Sequence, residues 1–325
     1  MRSFLGVLCR PPRNRRGVVL KILEYLRSRK QKSRANANGV AIRFAPNEEY
    51  DPAPRANERS VTTNIGGLTC EIASDDNYLN VIAGNFEPDM VRLFEAFVQP
   101  EMTVLDIGAN IGCTTILFGQ RAQKVISFEP SPTTFHFLQK NTRAAGVNNV
   151  VCVNSGLGKT AGSFELTFST DNRSGGFVSD RTSASAGHEV ESIDIRQGDH
   201  FVRENVAEQI GFIKIDVEGF EQNVIEGLAE TLRKDKPAVV LELNHWCLNV
   251  LQRSSVPDFL DFLRSVFPYL YAIDGEDVRD LHNADSSYHV MYHHIVCGFK
   301  YPNLVGAFNP KQLEVFRQRY KVPER

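Results

Sequence analysis

Two acids spaced around a glycine-rich turn are the first residues of this chain suited to chemistry. Asp106 ends the apolar run Thr103-Val104-Leu105, the turn Ile107-Gly108-Ala109-Asn110-Ile111-Gly112 follows, and Glu129 stands 23 residues after Asp106 at the end of Lys124-Val125-Ile126-Ser127-Phe128. Gly108 and Gly112 let the backbone approach a ligand where a Cβ would collide. A carboxylate at position 129 can accept both hydroxyls of a ribose, and an acid at position 106 suits a nearby cation. A dinucleotide fingerprint requires glycine at 108, 110 and 113, where this chain has Gly, Asn and Cys, and the turn lacks the GxxxxGK[ST] phosphate cradle. The pattern therefore suits an adenosine ligand without a pyrophosphate, namely S-adenosylmethionine. A second group of proton-accepting residues lies further on: Asp216 and Glu218, then Glu242, Asn244 and His245, with Lys214 placed to orient or pair Asp216.

These residues need a scaffold that brings distant segments together. Short apolar runs alternate with helical patterns for more than 200 residues after Val61, which predicts an α/β, doubly wound, mainly parallel sheet. The first strand ends at Asp106 and the second at Glu129. Ser131 is then a natural N-cap, with Pro132 at the first helical position and Gly146 able to end the helix. Val150–Val153 is the third strand, Gly211–Asp216 the fourth, Ala238–Leu243 the fifth, and Tyr269–Ile273 and Tyr292–Phe299 the last two, making seven. Two further strand-like stretches, Ser163–Phe168 and Glu189–Ile195, predict a β-hairpin insertion around the Ser/Gly-rich loop Ser169–Gly187, a length usual for a disordered segment or for a functional one such as a lid. Phe220, Val224, Leu228 and Leu232, four apart, make one apolar stripe against the sheet. The expected organisation is a basic N-terminal extension and linker over 1–60, a catalytic domain over 61–300 and a C-terminal tail over 301–325.

The strings VLDIGANIGCTT, SFEPSP, FIKIDVEGFEQNVIEGL and VVLELN together resemble the FkbM family of S-adenosylmethionine-dependent methyltransferases, from about Asn64 to Phe299, with IKIDVEG the most specific part. The resemblance implies a Rossmann-like methyltransferase fold and O-methylation of a small molecule, most readily a sugar or glycan. It implies cofactor contacts at Asp106, Gly108, Asn110, Gly112 and Glu129, with Ser155 near the adenine, and it matches Asp199 to an acid that precedes the fourth strand. The basic leader and His245-Trp246-Cys247 depart from the family pattern.

Methyl transfer from a sulfonium is an in-line displacement, so the protein chiefly aligns acceptor and methyl. A sugar hydroxyl is a weak nucleophile and needs a base or a metal. Asp216, Glu218 or His245 could take its proton. Asp216, Glu242 and Asn244 could instead form a hard oxygen site for magnesium. The structural alternative is that Asp216 and Glu218 merely favour the amino end of the helix beginning near Gly219. His289, His293 and His294 lie near the last strand; their H-x-x-x-H spacing would align only on a helix, whereas Met291–Phe299 reads as strand. Phe212, Trp246 and Tyr269, Tyr271, Tyr288 and Tyr292 could stack on a sugar, although a buried sheet accounts for most of them.

The chain has 325 residues, 42% hydrophobic and 23% charged, an ordinary folded composition. Its six cysteines contain no C-x-x-C pair, which fits reduced thiols and a cytoplasmic protein. The net charge of −2 is unevenly spread: residues 1–34 hold eleven Lys or Arg against Glu24 alone, and the remainder is acidic. That leader predicts peripheral membrane contact through a basic amphipathic helix, or a helix packed on the body, or, less favoured, an organelle transit peptide. The acidic remainder offers no groove for nucleic acid. The rival functions are a nucleotide-binding oxidoreductase and a catalytically silent cofactor-binding module.

Overall fold

The structure of the protein, a computed structural model, describes residues 57–169, 171–179 and 187–323. All of these lie within one compact unit, Phe44–Arg325. The basic leader and its expected membrane contact lie outside the described residues. Among the described residues no helix is long and apolar enough to cross a membrane.

In chain order, β1 (Arg59–Ile65), β2 (Leu68–Ser74) and β3 (Gly84–Asn85) form a small sheet that precedes the helix Pro88–Phe94. The main sheet begins with β4 (Thr103–Ile107), β5 (Lys124–Phe128) and β6 (Val150–Val153). An inserted sheet follows, made of β7 (Gly156–Gly158), β8 (Gly162–Ser169), β9 (Asn172–Val178) and β10 (His188–Gln197). The main sheet resumes with β11 (Ile210–Ile215), β12 (Ala238–Glu242), β13 (Tyr269–Asp274), β14 (Asp277–Asp280) and β15 (Asn303–Ala307). Its order is β14-β13-β15-β12-β11-β4-β5-β6.

Five neighbouring strands, β12, β11, β4, β5 and β6, pair in parallel, while β13, β14 and β15 are antiparallel additions. The strand order reverses between β4 and β11, and in open α/β sheets that is where a crevice forms beyond the carboxyl ends. The parallel strands are buried on both faces, which explains why they read as unbroken apolar runs. One face packs Phe94, Phe118 and Phe212, with Phe94 and Phe118 edge-on at 5.0 Å and Phe118 and Phe212 at 5.7 Å. The other packs Ile213, Val239 and Leu241 against Val224, Phe259 and Leu263. Truncating one of these fully buried phenylalanines to alanine costs about 3–5 kcal/mol. Phe212 and Tyr271 are thus core residues rather than sugar platforms, while Trp246, Tyr288 and Tyr292 are exposed.

Three expectations need correction. The sheet has eight strands rather than seven, and its last strand is β15, inside the segment expected to be a tail. Tyr292–Phe299 is not a strand: a helix runs from Ala284 to Ile295, capped by the Asn283 side chain accepting from the Ser286 amide at 2.9 Å, with Ser287, Val290 and His294 buried at helical spacing. The insertion is a four-stranded sheet rather than a hairpin, since β9 occupies part of the expected loop and pairs with β8. Ser131 caps its helix as expected, accepting from the Thr134 amide at 3.1 Å with Pro132 at the first position.

Candidate active site

A cavity of about 280 Å³ opens at the reversal of strand order, beyond the carboxyl ends of β4, β5 and β11, and the inserted sheet walls it with Leu166, Phe168 and Ile193. Gly108, Asn110 and Glu129 line it together. The backbone of the turn holds the carboxylate: the Asn110 amide donates to Glu129 Oε2 at 3.1 Å and the Ser131 amide donates to Oε1 at 2.9 Å. Burial pushes Glu129 up to about 7, against the pull of these two amides. Each carboxylate oxygen retains acceptor capacity beyond one amide, so the group is oriented yet still able to accept a diol.

The turn is fastened to β11 by Lys214. Its Nζ donates to the Gly108 carbonyl at 2.6 Å and lies 3.2 Å from Asp216 Oδ2 and 3.7 Å from Asp106 Oδ1. Burial disfavours this ammonium, but Asp216 and Asp106 outweigh it and the pKa is raised. Gly108 has φ +80°, and a Cβ there would stand 1.8 Å from the carbonyl oxygen of Asp216, so no other residue fits.

Not every expected cofactor residue reaches the cavity. Asp106 is 0% exposed and accepts from the hydroxyls of Thr114 at 2.8 Å and Thr115 at 2.6 Å, so it holds the start of the helix Cys113–Gly119 beneath the turn and does not line the cavity. Gly112, with φ +102°, sits at that helix's amino end, where a Cβ would meet Leu138 at 3.0 Å; it serves the turn and the helix packing and does not line the cavity. Ser155 is wholly buried, its hydroxyl without a hydrogen-bond partner among the described residues, and the next residues, Gly156 and Leu157, line the cavity in its place.

Three carboxylates converge at the junction with β11 and β12. One oxygen each of Asp216, Glu218 and Glu242 lies within 4.8 Å of the others. Burial, then the neighbouring Asp216, push Glu218 up to about 7. Burial, Asp216 and Glu218 raise Glu242 as well, and its Oε2 has no hydrogen-bond partner among the described residues. Asn244, expected beside Asp216 and Glu242 as an oxygen donor, instead donates to Glu218 Oε2 at 3.3 Å, so Glu218 is the third oxygen group. The expected helix-end role of Asp216 and Glu218 falls to Glu221, whose Oε1 accepts from the amides of Val217 and Gly219, both at 3.2 Å.

His245 lines neither this cavity nor its neighbour. Its ring lies 4.5 Å from Phe299 and edge-on to His294 at 4.9 Å, and burial lowers its pKa. His289 and His293 do align, because their segment is a helix after all, with rings 4.1 Å apart. Asp199 caps the helix Ala229–Asp235, accepting from the amides of Glu230 at 2.9 Å and Thr231 at 2.8 Å.

A second cavity of about 430 Å³ lies against the helix Pro88–Phe94 and the ends of β11, β12 and β13. The two cavities share Glu87, Asp216 and Glu242. Sequence reasoning missed Tyr78 and Glu87, both on the first cavity's wall. They come from the small N-terminal sheet region, and nothing local in the sequence marks them. Glu87, Asn110 and Glu218 are non-glycine residues with φ of +25°, +49° and +50°, and all three line the first cavity. Backbone strain of this kind concentrates at functional sites.

Residues 106–267 match the family model of the Methyltransferase FkbM domain. The chain carries a methyltransferase FkbM domain. Its matched span runs from Asp106 to Phe267 and so includes Glu129, Lys214, Asp216, Glu218 and Glu242. The chain is also similar to the Hexuronic acid methyltransferase AglP of Haloferax volcanii, 28% identical over 148 residues that cover 45% of this chain and 58% of that protein. It is similar to Methyltransferase 1 of Beauveria bassiana, 29% identical over 145 residues covering 38% of this chain and 57% of that protein. The chain thus spans little more than half the length of these curated relatives. Among solved structures it is similar to Methyltransferase FkbM from Methylobacillus flagellatus, with a TM-score of 0.40, 14% identity, and 66% of this chain and 50% of that one covered.

Proposed function

We propose that the FkbM domain transfers a methyl group from S-adenosylmethionine to a hydroxyl oxygen of a small molecule, with a sugar or glycan as the acceptor class. The observation that carries this reading is the Glu129 carboxylate, fixed by two backbone amides on the cavity wall beside Gly108 and Asn110. A buried acceptor pair facing an open space fits a ribose diol, and the adjoining apolar wall from Leu157 and Phe168 fits an adenine. The sugar class draws support from the named substrate of the Haloferax relative. The cofactor, when bound, supplies the electrophilic methyl group.

The chain's own residues then have distinct tasks. Lys214 holds the first turn and Asp216 in register, and Asp216, half-exposed at the junction of the two cavities, accepts the hydrogen bond of an incoming hydroxyl. Glu218, pushed up to about 7 by burial and by Asp216, is matched to receiving a proton near neutral pH, whereas Glu242, raised further by burial, Asp216 and Glu218, keeps its own proton there. A second reading rests on the same junction: Asp216, Glu218 and Glu242 would hold a magnesium ion, which would lower the pKa of the acceptor hydroxyl. Transfer of labelled methyl into sugar and lipid-linked acceptors, with and without a chelator, tests both. Loss of transfer in chelator supports the ion, retained transfer supports proton acceptance by the carboxylates alone, and no transfer to any hydroxyl acceptor contradicts the proposal. Peripheral membrane contact through residues 1–34 rests on their charge and apolar pattern, and deletion of that segment should abolish binding to anionic vesicles while leaving transfer to soluble acceptors intact.

A further inference from the structure

We propose that the second cavity seats the methyl acceptor and that its acid-lined wall admits uncharged or amine-bearing molecules while excluding carboxylates and phosphates. The inference rests on the methyl-transfer reading above and goes beyond it in fixing the charge of the substrate: it shares the sugar class with the Haloferax relative and departs from the carboxylate that a hexuronic acid carries. It begins with continuity. Glu87, Asp216 and Glu242 belong to the walls of both cavities, so a group reaching through from the second arrives at the carboxylates that face the first. The second cavity, about 430 Å³, lies within the range of roughly 300–1,000 Å³ common for small-molecule sites.

The chemistry of its wall is one-sided. Glu87 and Asp89 from the start of the helix Pro88–Phe94, Asp216 from the end of β11, Glu242 from β12 and Asp274 from β13 all contribute carboxyl groups. The basic side chain on this wall is Lys214, and its ammonium is already committed to the Gly108 carbonyl, Asp216 and Asp106. With a proton on Glu242, the acids still outnumber the lysine. An anionic acceptor enters such a space against like charges without a cation to meet it, and that arrangement rejects wrong partners. Hydroxyls suit it, because ionised carboxylates only accept hydrogen bonds and a polyol supplies donors. An ammonium suits it by direct charge compensation. Phe94, Val240 and Ile273 give the cavity an apolar side against which the C–H face of a ring can lie. Glu87, with φ +25° and ψ 73°, is strained at the shared wall, as expected where a side chain is aimed for function.

The test uses the full chain and acceptor triplets that differ at one carbon: a hydroxymethyl, an aminomethyl or a carboxylate on the same methyl glycoside. Binding of S-adenosylhomocysteine is measured first by calorimetry, since absence of heat there overturns the underlying reading. Labelled methyl transfer then measures kcat/KM for each member. The expected result is a value for the carboxylate member at least about tenfold below those of the other two. The Asp89→Asn and Asp274→Asn double variant, altered at the far wall, should narrow that gap several-fold with unchanged affinity for S-adenosylhomocysteine. A carboxylate member used as well as its neutral partner, or a gap unmoved by the double variant, overturns the inference. So does failure of every neutral and amine member in a chain that binds S-adenosylhomocysteine, and that outcome leaves the cofactor reading standing.

Discussion

The ammonium of Lys214 donates to the carbonyl of Gly108 at 2.6 Å, tying the IKIDVEG segment to the glycine-rich turn across 106 residues of chain. The contact makes the two motifs one unit: the same ammonium faces Asp106 under the turn and Asp216 at the junction of the cavities. Lys214→Met keeps the apolar stem and removes the charge, leaving the wholly buried Asp106 without its cation. The expected loss of stability is about 3–5 kcal/mol, read from denaturant unfolding, with methyl transfer reduced as well. A variant of unchanged stability would contradict the pairing.

Gly108→Ala tests the close approach of the turn to β11. A Cβ 1.8 Å from the Asp216 carbonyl, at φ +80°, cannot be relieved by moving a side chain. The expected cost exceeds about 2 kcal/mol, and affinity for S-adenosylhomocysteine should fall with it, because the Gly108 and Asn110 backbone shapes the cavity. Wild-type melting and binding would show that the turn has room the geometry denies.

His245→Ala separates the sequence expectation from the structure. The sequence offers His245 as a base, whereas its ring packs among His294 and Phe299 and lines neither cavity. The kcat of methyl transfer should stay within about twofold of wild type. Asp216→Asn and Glu218→Gln, both in the carboxylate cluster at the junction, should lower it by about two orders of magnitude.

The buried acids also set opposite pH trends for stability and activity. In the folded state Glu129, Glu218 and Glu221 each keep a proton up to about 7, whereas unfolding returns them to about 4.5. Between those values the folded state binds more protons, so their contribution to stability is full below about 4.5 and is lost as pH rises through 7. The ligand-free protein should therefore show a falling Tm from about pH 5 to pH 8. Transfer requires proton-accepting carboxylates, so its rate should rise with pH over the same interval. A Tm that climbs across this window would contradict the assignment.

The central strands were legible because burial on both faces writes them as continuous apolar runs, and the acids at 106, 129 and 216 fell at strand ends as expected. β15 was not, since Gly306 breaks the run Asn303-Leu304-Val305-Gly306-Ala307; a Cβ there would stand 2.7 Å from the Phe267 ring, a demand of packing that sequence does not display. β9 was hidden by its composition, Asn172-Arg173-Ser174-Gly175-Gly176, which reads as turn until β8 supplies a pairing edge. The helix Ala284–Ile295 was signalled by Asn283 and by Ser287, Val290 and His294 at helical spacing, but its β-favouring Tyr and Val residues masked the pattern. Glu87 and Tyr78 reach the site by tertiary folding alone, and Asp106 looked like a ligand contact because strand-end position does not distinguish a group facing the cavity from one beneath the turn.

The account stands or falls on whether the cavity beside Gly108 and Asn110 binds an S-adenosyl compound through Glu129. Calorimetric titration of the full chain and of Glu129→Ala with S-adenosylhomocysteine measures this directly. Wild type should release heat with one-to-one stoichiometry, and the variant, still folded by its melting transition, should bind about 10- to 100-fold more weakly through loss of charge-assisted hydrogen bonds. No heat from wild type, or equal affinity in the variant, would contradict the claim.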